Sequence, residues 1–332
     1  MKKYIFLISF VFLLISCVGK DSFVMQGSIG KDNRVLVVTK ASSWQGEIGQ
    51  EIRRFMSEEM VGLPQPEAHL TLSQVAPSGF NQTMKLTRNI LLIEESSKEN
   101  FTINTNKYAS PQTIIYVSAK DRNAIVEVLK KHDKEIIQTF KDSDVKVIQN
   151  RFYKKKLDDS QFKALQELNI SLIIPEDYNV VLDTVAEEPF LWLRQHMKSG
   201  IARGAGSNNI LVYSYPLNKE EEIIKENISM TRDTIGKKYI PGSDPETMHM
   251  ITEKAYTPYT FDAEIDGKKA FETRGKWEVM NDWMAGPFIN YTILDKENNR
   301  VIVFEGFTYA PSVNKREFVF ELEAIGKSMK IN

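Results

Sequence analysis

Residues 259–272 read YTFDAEIDGKKAFE, with an apolar-polar alternation before Asp266-Gly267 and a second apolar run after it. Asp-Gly is a favoured pair in two-residue type I′ turns, because both central residues of such a turn have positive φ. The stretch therefore predicts a β-hairpin, with strands over Tyr259–Ile265 and Lys268–Glu272. The two strands of a hairpin are antiparallel, so these residues indicate an antiparallel sheet.

Further strand patterns lie on both sides of this hairpin. Phe288–Leu294 and Arg300–Phe304 are apolar runs separated by the polar stretch Lys296–Asn299, which predicts a second hairpin. Upstream, four more short apolar runs predict strands over Ile170–Ile174, Val180–Asp183, Phe190–Arg194 and Asn209–Tyr215. The second half of the chain is therefore expected to form a mainly antiparallel sheet.

The first half of the chain alternates apolar strands with amphipathic helices. Three short apolar runs predict buried strands over Arg34–Thr39, Asn89–Glu94 and Thr113–Ser118. Ser42 with Gln45 is a capping-box pattern at the start of a helix predicted over 43–60. After Asp121 an apolar stripe predicts a long helix, and its members are Ile125, Leu129, His132, Ile136 and Phe140.

Helices that stand in blocks separate from hairpin strands are typical of the α+β class. We therefore predict an α+β fold, a mainly antiparallel sheet with separate helices. Thr113 to Phe140 is a strand followed by a helix, and Arg300 to Lys330 repeats that order, so two related βα-type halves are an open alternative. The predicted segments are a signal peptide over 1–16, a lipidated cysteine and tether over 17–32, an N-terminal α+β half over 33–168 and a C-terminal antiparallel-sheet half over 169–332.

The N-terminus carries the pattern of a bacterial lipoprotein signal. Two lysines precede an apolar run over residues 4–15, which is shorter than the roughly 20 residues of a transmembrane helix. The run ends in LISC, residues 14–17, which resembles a lipobox, and Cys17 is the single cysteine of the chain. An acylated Cys17 would anchor the protein to membrane lipid. The alternative is an ordinary signal peptide with a chance cysteine.

The residues after Cys17 bear on location. Val18 is not the aspartate that retains many enterobacterial lipoproteins in the inner membrane, which favours the outer membrane by analogy. Asp21 stands alone where surface-exported lipoproteins of Bacteroidota often carry an acidic run, which favours the periplasmic face. We therefore expect a cell-envelope protein, lipid-anchored in the outer membrane and facing the periplasm, with exposure at the cell surface as the alternative.

The composition excludes several functional classes. The chain is 42% hydrophobic and carries 43 Lys and Arg against 44 Asp and Glu, so it is neither disordered nor strongly basic. A nucleic-acid partner is therefore not expected. A single cysteine excludes a fold built on disulfides.

Common metal, nucleotide and hydrolase motifs are missing from the sequence. HExxH, Walker A and GxSxG do not occur, and Gly204-Ala205-Gly206 lacks the third glycine of a dinucleotide loop. His249 with Glu253 could share a helix face, but this spacing is common by chance. We therefore expect no cofactor and no metal, and we assign no catalytic residue.

The most unusual local chemistry combines tryptophan with arginine and aspartate. Residues 274–288, RGKWEVMNDWMAGPF, hold two of the four tryptophans. Aromatic and arginine side chains together often line binding surfaces. The candidate binding surface comprises Trp192, Arg194, Arg274, Trp277, Asp282 and Trp283. A second candidate rim is the loop Lys237 to Pro245, and the alternative for the tryptophans is a place in the core.

These segments also carry a resemblance to a known family. The chain resembles a Bacteroidota lipoprotein family of unknown function, domain-of-unknown-function family 4837, over nearly the whole mature body. The segments that carry the resemblance are Arg34–Val38, Phe190–Arg194, Lys238–Gly242, Arg274–Val279 and Met284–Phe288. The resemblance implies a Bacteroidota source, lipid anchoring and an envelope location, and it implies no assigned activity.

That compartment adds a modification hypothesis. Periplasmic proteins of Bacteroidota can be O-glycosylated at Asp-Ser/Thr followed by an apolar residue, and Asp183-Thr184-Val185 and Asp233-Thr234-Ile235 resemble this pattern. Thr234 and Thr184 are therefore candidate sites. Thr234 is favoured, because it is expected to follow a helix and to precede a loop.

Three functions fit the sequence. The leading expectation is a non-enzymatic envelope protein that binds an envelope protein partner or a small ligand through the candidate surface. A hydrolase or transferase acting on envelope glycan or peptide is the first alternative, and it would need a carboxylate pair such as Asp282 and Glu278. An architectural subunit of a lipoprotein complex is the second alternative, and a contiguous exposed apolar patch would favour it.

Overall fold

The computed structural model describes residues 25–197, 206–311 and 313–332. In this part of the chain, two larger sheets carry helices on their faces, and most strand pairs are antiparallel. The predicted α+β class with a mainly antiparallel sheet is therefore confirmed. Cys17, the signal peptide predicted over 1–16 and the start of the predicted tether lie outside the described residues. Among the helices described, none is long and apolar enough to span a membrane.

The strands of the N-terminal half form the first sheet. They are β1 (Arg34–Val38), β2 (Thr71–Val75), β3 (Asn89–Glu95), β4 (Asn100–Thr105) and β5 (Thr113–Ala119). Their order is β2-β1-β3-β5-β4; β1 is parallel to β2 and β3, β3 is parallel to β5, and β4 is antiparallel to β5. The central strands are mostly buried, as is usual in parallel sheets. The sequence predicted β1, β3 and β5 but not their parallel pairing.

The helices of this half are α1 (Ala41–Gln45), α2 (Glu47–Met56), α3 (Gln82–Lys85), α4 (Arg122–Lys131) and α5 (Asp133–Tyr153). Helices α2, α4 and α5 pack on one face of the first sheet through a shared apolar core. The helix predicted over 43–60 is two helices separated at Gly46. The predicted Ser42 cap is wrong, because α1 begins at Ala41 and Ser42 lies inside its first turn.

The helix predicted after Asp121 also consists of two helices, which meet at His132. Asp121 caps α4, since its Oδ1 accepts a hydrogen bond from the N–H of Ala124 at 2.9 Å. The imidazole of His132 stacks on Phe101 with 3.9 Å between ring centroids, and its Nδ1 lies 2.7 Å from a carboxylate oxygen of Glu135. These contacts give His132 a structural role at the junction of α4 and α5.

The second sheet belongs to the C-terminal half. The strands of this half are β6 (Ile170–Ser171), β7 (Asn179–Thr184), β8 (Phe190–His196), β9 (Ser207–Pro216), β10 (Met250–Thr252), β11 (Tyr259–Ile265), β12 (Lys268–Val279), β13 (Ala285–Asp295), β14 (Arg300–Tyr309) and β15 (Lys330–Ile331). Their order is β10-β12-β13-β14-β9-β8-β7, with β11 also on β12, and β6 pairs separately with β15. Asp266 and Gly267 have φ of 52° and 75°, as a type I′ turn requires. Both predicted hairpins are confirmed.

The helices of this half are α6 (Lys163–Glu167), α7 (Glu221–Glu226), α8 (Ile228–Tyr239) and α9 (Arg316–Gly326). Helix α9 packs on one face of the second sheet, and α7 and α8 pack on the other. A buried ion pair joins each face to its helix. Arg274 of β12 contacts Glu323 of α9 with 2.5 Å between Nη2 and Oε2, and Arg232 of α8 contacts Glu305 of β14 with 2.9 Å between Nε and Oε1.

Helix α5 connects the two halves. Its Val145 and Ile148 pack against Phe320 and Ala324 of α9. The short helix α6 lies in the core of the second sheet. The predicted boundary after residue 168 stays a prediction, although α6, which precedes it, packs with the C-terminal half.

The predicted echo between the halves is limited to element order. A strand is followed by a helix in β5–α4 and again in β14–α9. However, β5 is parallel to β3, whereas β14 is antiparallel to both of its neighbours. The two halves therefore differ in sheet topology.

The segment before β1 lies on the body of the protein. Two isolated backbone bridges attach the chain at residues 27–29. Asp32 forms ion pairs with Arg88 at 2.5 Å and with Arg151 at 3.1 Å. The tether predicted over 17–32 is therefore too long, because its last residues are bound to the folded domain.

Glu321 of α9 lies beside this segment and has an unusual pKa. Burial raises the pKa of Glu321 from 4.5 to about 7, against the opposing charge of Arg151 at 3.2 Å, and the carboxylates of Asp32 and Glu317 add to the increase. The folded protein therefore holds this proton more tightly than the unfolded chain does. The linkage lowers folding stability as pH rises from about 5 to above 7.

We expect Glu321→Gln to raise the free energy of unfolding by about 1–2 kcal/mol at pH 8, because it removes a partly buried charge. At pH 5 the carboxyl group is already largely neutral, and the effect should be small. Urea unfolding at both pH values measures the difference. Glu127→Gln, at an exposed position of α4, is the control. A loss of stability in Glu321→Gln at pH 8 would show that the ion pair with Arg151 outweighs burial.

Candidate functional site

A cleft of about 460 Å³ opens on the face of the second sheet that carries α8. Strands β8, β12 and β14 form its walls. Each contributes residues that are two apart, and the side chains of such residues share one face of the sheet. These strands contribute the wall residues Trp192, Arg194, Trp277, Val279, Phe307 and Tyr309. The rim consists of Ile240 to Ser243 after α8, together with Asp282 and Met284 from the turn between β12 and β13.

A shared hydrogen-bond acceptor orients the arginine and tryptophan of β8. The guanidinium of Arg194 lies over the Trp192 ring, 4.8 Å from its centroid. Arg194 Nε and Trp192 Nε1 both donate to Asn209 Oδ1, at 2.9 and 3.0 Å. Asn209 in turn donates from Nδ2 to Ser207 Oγ at 3.1 Å. The cleft therefore presents Arg194 in a fixed geometry before any ligand arrives.

Arg194, which is half-buried, differs from the buried arginines of the second sheet and α8 in its charge balance. Arg232 and Arg274 each face a carboxylate, whereas Arg194 has no ion pair with a carboxylate of the described residues. Burial lowers the pKa of Arg194, and no carboxylate in the described part of the chain offsets that cost. A half-buried cation without a partner is a favourable contact for an anionic ligand.

Trp277 forms part of the wall and belongs to the core. Its side chain is 2% exposed, and its Nε1 donates to the carbonyl oxygen of Thr308 at 3.2 Å. The ring also meets Phe307 edge-on, with 5.4 Å between centroids. Gly286 permits this packing, because a Cβ there would lie 2.0 Å from the Thr308 oxygen.

Trp283 lies at the tip of the turn beside the cleft and is 99% exposed. Its N–H donates to Asp282 Oδ1 at 2.6 Å, so the neighbouring carboxylate orders the backbone of the turn. Met284 is also exposed, at 37%, and its side chain reaches the cleft rim. The exposed indole does not line the cleft.

Comparison with known families covers both halves of the chain. The family described as "Domain of unknown function (DUF4837)" matches residues 156–328, which include the second sheet and the cleft. The chain belongs to this family. A second family, described as "Domain of unknown function (DUF8532)", matches residues 28–153, which include the first sheet and α5.

The chain was also compared with curated proteins and with solved structures. No curated protein matches the chain. The crystal structure of LpqN, involved in cell envelope biogenesis of Mycobacterium tuberculosis, is 12% identical over 49% of this chain and 83% of the LpqN chain, with a TM-score of 0.32. A TM-score at this level does not establish a shared fold.

The predicted resemblance to DUF4837 is confirmed for the C-terminal half. It does not extend over nearly the whole mature body as expected, because Arg34–Val38 lies in the part that matches DUF8532. The Bacteroidota origin and the lipid anchor stay predictions.

In this DUF4837 protein Arg274 does not belong to the cleft. Arg274 and Trp277 are three residues apart on β12, so they point to opposite faces of the sheet. Arg274 is buried under α9, where Nε contacts Glu272 at 2.6 Å and Nη2 contacts Glu323 at 2.5 Å. Its predicted place in the binding surface is therefore wrong. The distant residue Glu323 could not be linked to it from local sequence.

The carboxylate pair considered for catalysis does not meet in the cleft. Asp282 is at the rim, whereas Glu278 lies on the face of β12 opposite to Trp277 and does not line the cleft. The two carboxylates therefore do not flank a common substrate position.

The candidate glycosylation sites differ in their setting. Thr234 is exposed but lies inside α8, where its hydroxyl donates to the carbonyl oxygen of Met230 at 2.9 Å, so the expectation that it follows a helix is wrong. Thr184 is half-buried at the end of β7, an edge strand. Modification of Thr234 or Thr184 stays a prediction.

The histidine pair considered for metal binding does not share a helix. His249 directly precedes β10 and Glu253 directly follows it, so the residues between them form a strand and not a helix. Across the three described ranges, no group of three or more His, Cys, Asp or Glu side chains is placed to hold a metal ion.

Sequence reasoning missed several cleft residues, including Asn209, Phe307 and Tyr309. Asn209, which orients Arg194 and Trp192, was predicted only as the first residue of a strand over Asn209–Tyr215. Tyr309 comes from a strand predicted to end at Phe304, but β14 continues to Tyr309. The alternation of β14 beyond Phe304 is the signal that could have revealed Tyr309.

Proposed function

We propose that the protein is a lipid-anchored, non-enzymatic binding protein of the bacterial cell envelope, and that the cleft beside α8 binds a small amphipathic anion. The observation that carries this proposal is the guanidinium of Arg194, held in the cleft without a carboxylate partner among the described residues. Planar guanidinium groups bind carboxylates and phosphates through paired hydrogen bonds.

The apolar walls account for the other part of the ligand. Trp192, Ile240, Met250, Trp277 and Phe307 offer apolar surface around the arginine. A volume of about 460 Å³ lies within the usual range of small-molecule sites, roughly 300–1,000 Å³. A ligand with an acyl or aromatic body and one anionic group fits this combination.

The N-terminal sequence supports the location. The lipobox-like LISC sequence ending at Cys17 favours acylation and attachment to membrane lipid. Val18 favours the outer membrane, and the absence of an acidic run after Cys17 favours the periplasmic face. The folded domain, which is described from Met25 onward, would then reach its ligand from the membrane surface.

Arg194→Gln is expected to weaken octanoate binding by at least about ten-fold, because a charge-assisted contact is lost while the apolar walls stay. Isothermal titration calorimetry on the mature chain from residue 17, carrying Cys17→Ser so that it is unacylated, measures the affinities. Octyl phosphate, titrated beside octanoate, distinguishes a phosphate from a carboxylate ligand. Octylammonium is the probe of opposite charge.

Arg53→Gln is the matched control for this experiment. Its guanidinium also lies over a tryptophan, 4.6 Å from the Trp44 centroid, but on α2, away from the cleft. Arg53→Gln should leave octanoate affinity within about two-fold of the unsubstituted protein. Equal losses in the two variants, or equal affinities for octanoate and octylammonium, would contradict the proposal.

A protein partner in the envelope is the second candidate function. The observation that favours it is Trp283, because a fully exposed tryptophan beside a cleft is typical of a binding hot spot. A photo-crosslinking amino acid at position 283 in native cells tests it. Reproducible capture of one envelope protein, lost when the crosslinker is moved to Glu127, would support the partner. Capture that does not depend on the position would count against it.

A further inference from the structure

A second crevice, separate from the cleft, lies at the carboxyl ends of β1 and β3 in the first sheet. From β1 the chain continues through α1 and α2 to β2 on one side, whereas from β3 it continues through β4 to β5 on the other. Neighbouring parallel strands whose connections diverge in this way leave a crevice at their carboxyl ends, which is where open α/β sheets bind ligands. The crevice has a volume of about 390 Å³.

One wall of this crevice is apolar and aromatic. Val38, Leu92 and Tyr116 stand side by side on one face of the sheet, because they are register partners on β1, β3 and β5. Phe80 reaches this wall from the segment after β2. Leu92 and Tyr116 are only half-buried, so the wall is open to a ligand.

The mouth of the crevice carries an excess of negative charge. Lys40 Nζ lies 3.8 Å from a carboxylate oxygen of Glu95. Glu94 is exposed and accepts a hydrogen bond from the hydroxyl of Tyr116 at 2.6 Å, and it has no ion pair with a cation of the described residues. Glu94 therefore presents an uncompensated carboxylate beside an aromatic ring.

We propose that this crevice binds a small organic ammonium with an apolar body, with the cationic group on Glu94 and the body against Leu92 and Phe80. A carboxylate next to aromatic rings recognises an ammonium group through an ion pair and cation–π contacts. A phosphate-bearing ligand fits less well, because α1 has only five residues and the connection from Thr39 to Lys40 has no glycine. The site would select the charge opposite to that of the cleft beside α8.

The test uses three probes that share a phenyl body: 3-phenylpropylammonium, 3-phenylpropanol and 3-phenylpropanoate. They are titrated into the mature Cys17→Ser chain labelled with ¹⁵N, and backbone amide shifts give both affinity and location. We expect the ammonium to bind most tightly and to shift the amides of Thr39, Leu92 and Tyr116. Glu94→Gln should weaken its binding by at least about five-fold.

Glu95→Gln is the matched control, because Glu95 lies at the same mouth but is already paired with Lys40. It should change the affinity by less than about two-fold. Equal affinity for the alcohol and the ammonium would overturn the proposal, as would equal losses in the two glutamate variants. Shifts confined to the cleft around Arg194 would also overturn it. The outcome is independent of octanoate binding, since the probes and the residues differ.

Discussion

Trp277→Ala is expected to lower the free energy of unfolding by about 3–5 kcal/mol. The indole is 2% exposed, packs against Phe307 and donates a hydrogen bond to the Thr308 carbonyl. Truncation would leave a large cavity, because the neighbouring Gly286 has no side chain to fill the space. It would also leave the Thr308 carbonyl without the hydrogen bond from the indole. Urea unfolding followed by far-UV circular dichroism measures the loss.

Trp283→Ala is the matched control, because it removes the same side chain from a position that is 99% exposed. Its effect on the free energy of unfolding should stay within about 0.5 kcal/mol. The pair separates the two roles that the sequence could assign to a tryptophan in this segment. Similar losses in both variants would show that the turn holding Trp283 is packed in solution, and would contradict the described fold of this edge.

Arg274→Ala is expected to destabilise the protein by about 3 kcal/mol, because it leaves buried carboxylates without their main partner. Arg274 contacts Glu272 on its own strand and Glu323 on α9, and the Glu323 carboxylate is fully buried. Lys327, at 2.7 Å from Glu323, offsets part of the loss. The expected effect therefore lies at the lower end of the range for a broken buried ion pair.

Arg194→Ala is the control for Arg274→Ala. We expect Arg194→Ala to impair octanoate binding and Arg274→Ala to impair folding stability. Arg194→Ala should cost less than about 1 kcal/mol of stability, since it removes one hydrogen bond to Asn209 and a half-exposed contact with the Trp192 ring. It should also weaken octanoate binding. Arg274→Ala should lose stability, and octanoate affinity should be retained at temperatures where it is folded. A stable Arg274→Ala variant that no longer binds octanoate would contradict the structural role of Arg274 and would show that it belongs to the binding surface.

The antiparallel sheet was predictable because its turns carry strong local signals. Asp266-Gly267 requires two positive φ angles, and only a few residue pairs meet that requirement. The first sheet has no such signal. Arg34–Val38 and Thr113–Ala119 are apolar runs, and a run buried on both faces does not reveal whether its partner is parallel. Parallel pairing depends on how the chain crosses between strands: β1 reaches β2 through α1 and α2, whereas β3 reaches β5 through β4.

The site was predictable where two residues shared a strand and unpredictable where strand length was misjudged. Trp192 and Arg194 are two apart on β8, so their shared face followed from spacing alone. The strand predicted over Lys268–Glu272 in fact continues to Val279. Because the predicted strand ended at Glu272, the sequence did not show that Arg274 and Trp277 lie on one strand and point to its opposite faces. Asn209 joins the site through pairing of β8 with β9, which local sequence does not encode.

The claim that the cleft beside α8 is the binding site is tested most directly by NMR on the mature Cys17→Ser chain titrated with octanoate. The side-chain Nε–H signal of Arg194 and the indole N–H signal of Trp192 report on the two groups that share Asn209. The account predicts that octanoate shifts both signals and that its chain gives nuclear Overhauser contacts to Phe307. Unchanged Arg194 and Trp192 signals at saturating octanoate, or contacts that map to the crevice at Glu94, would contradict it.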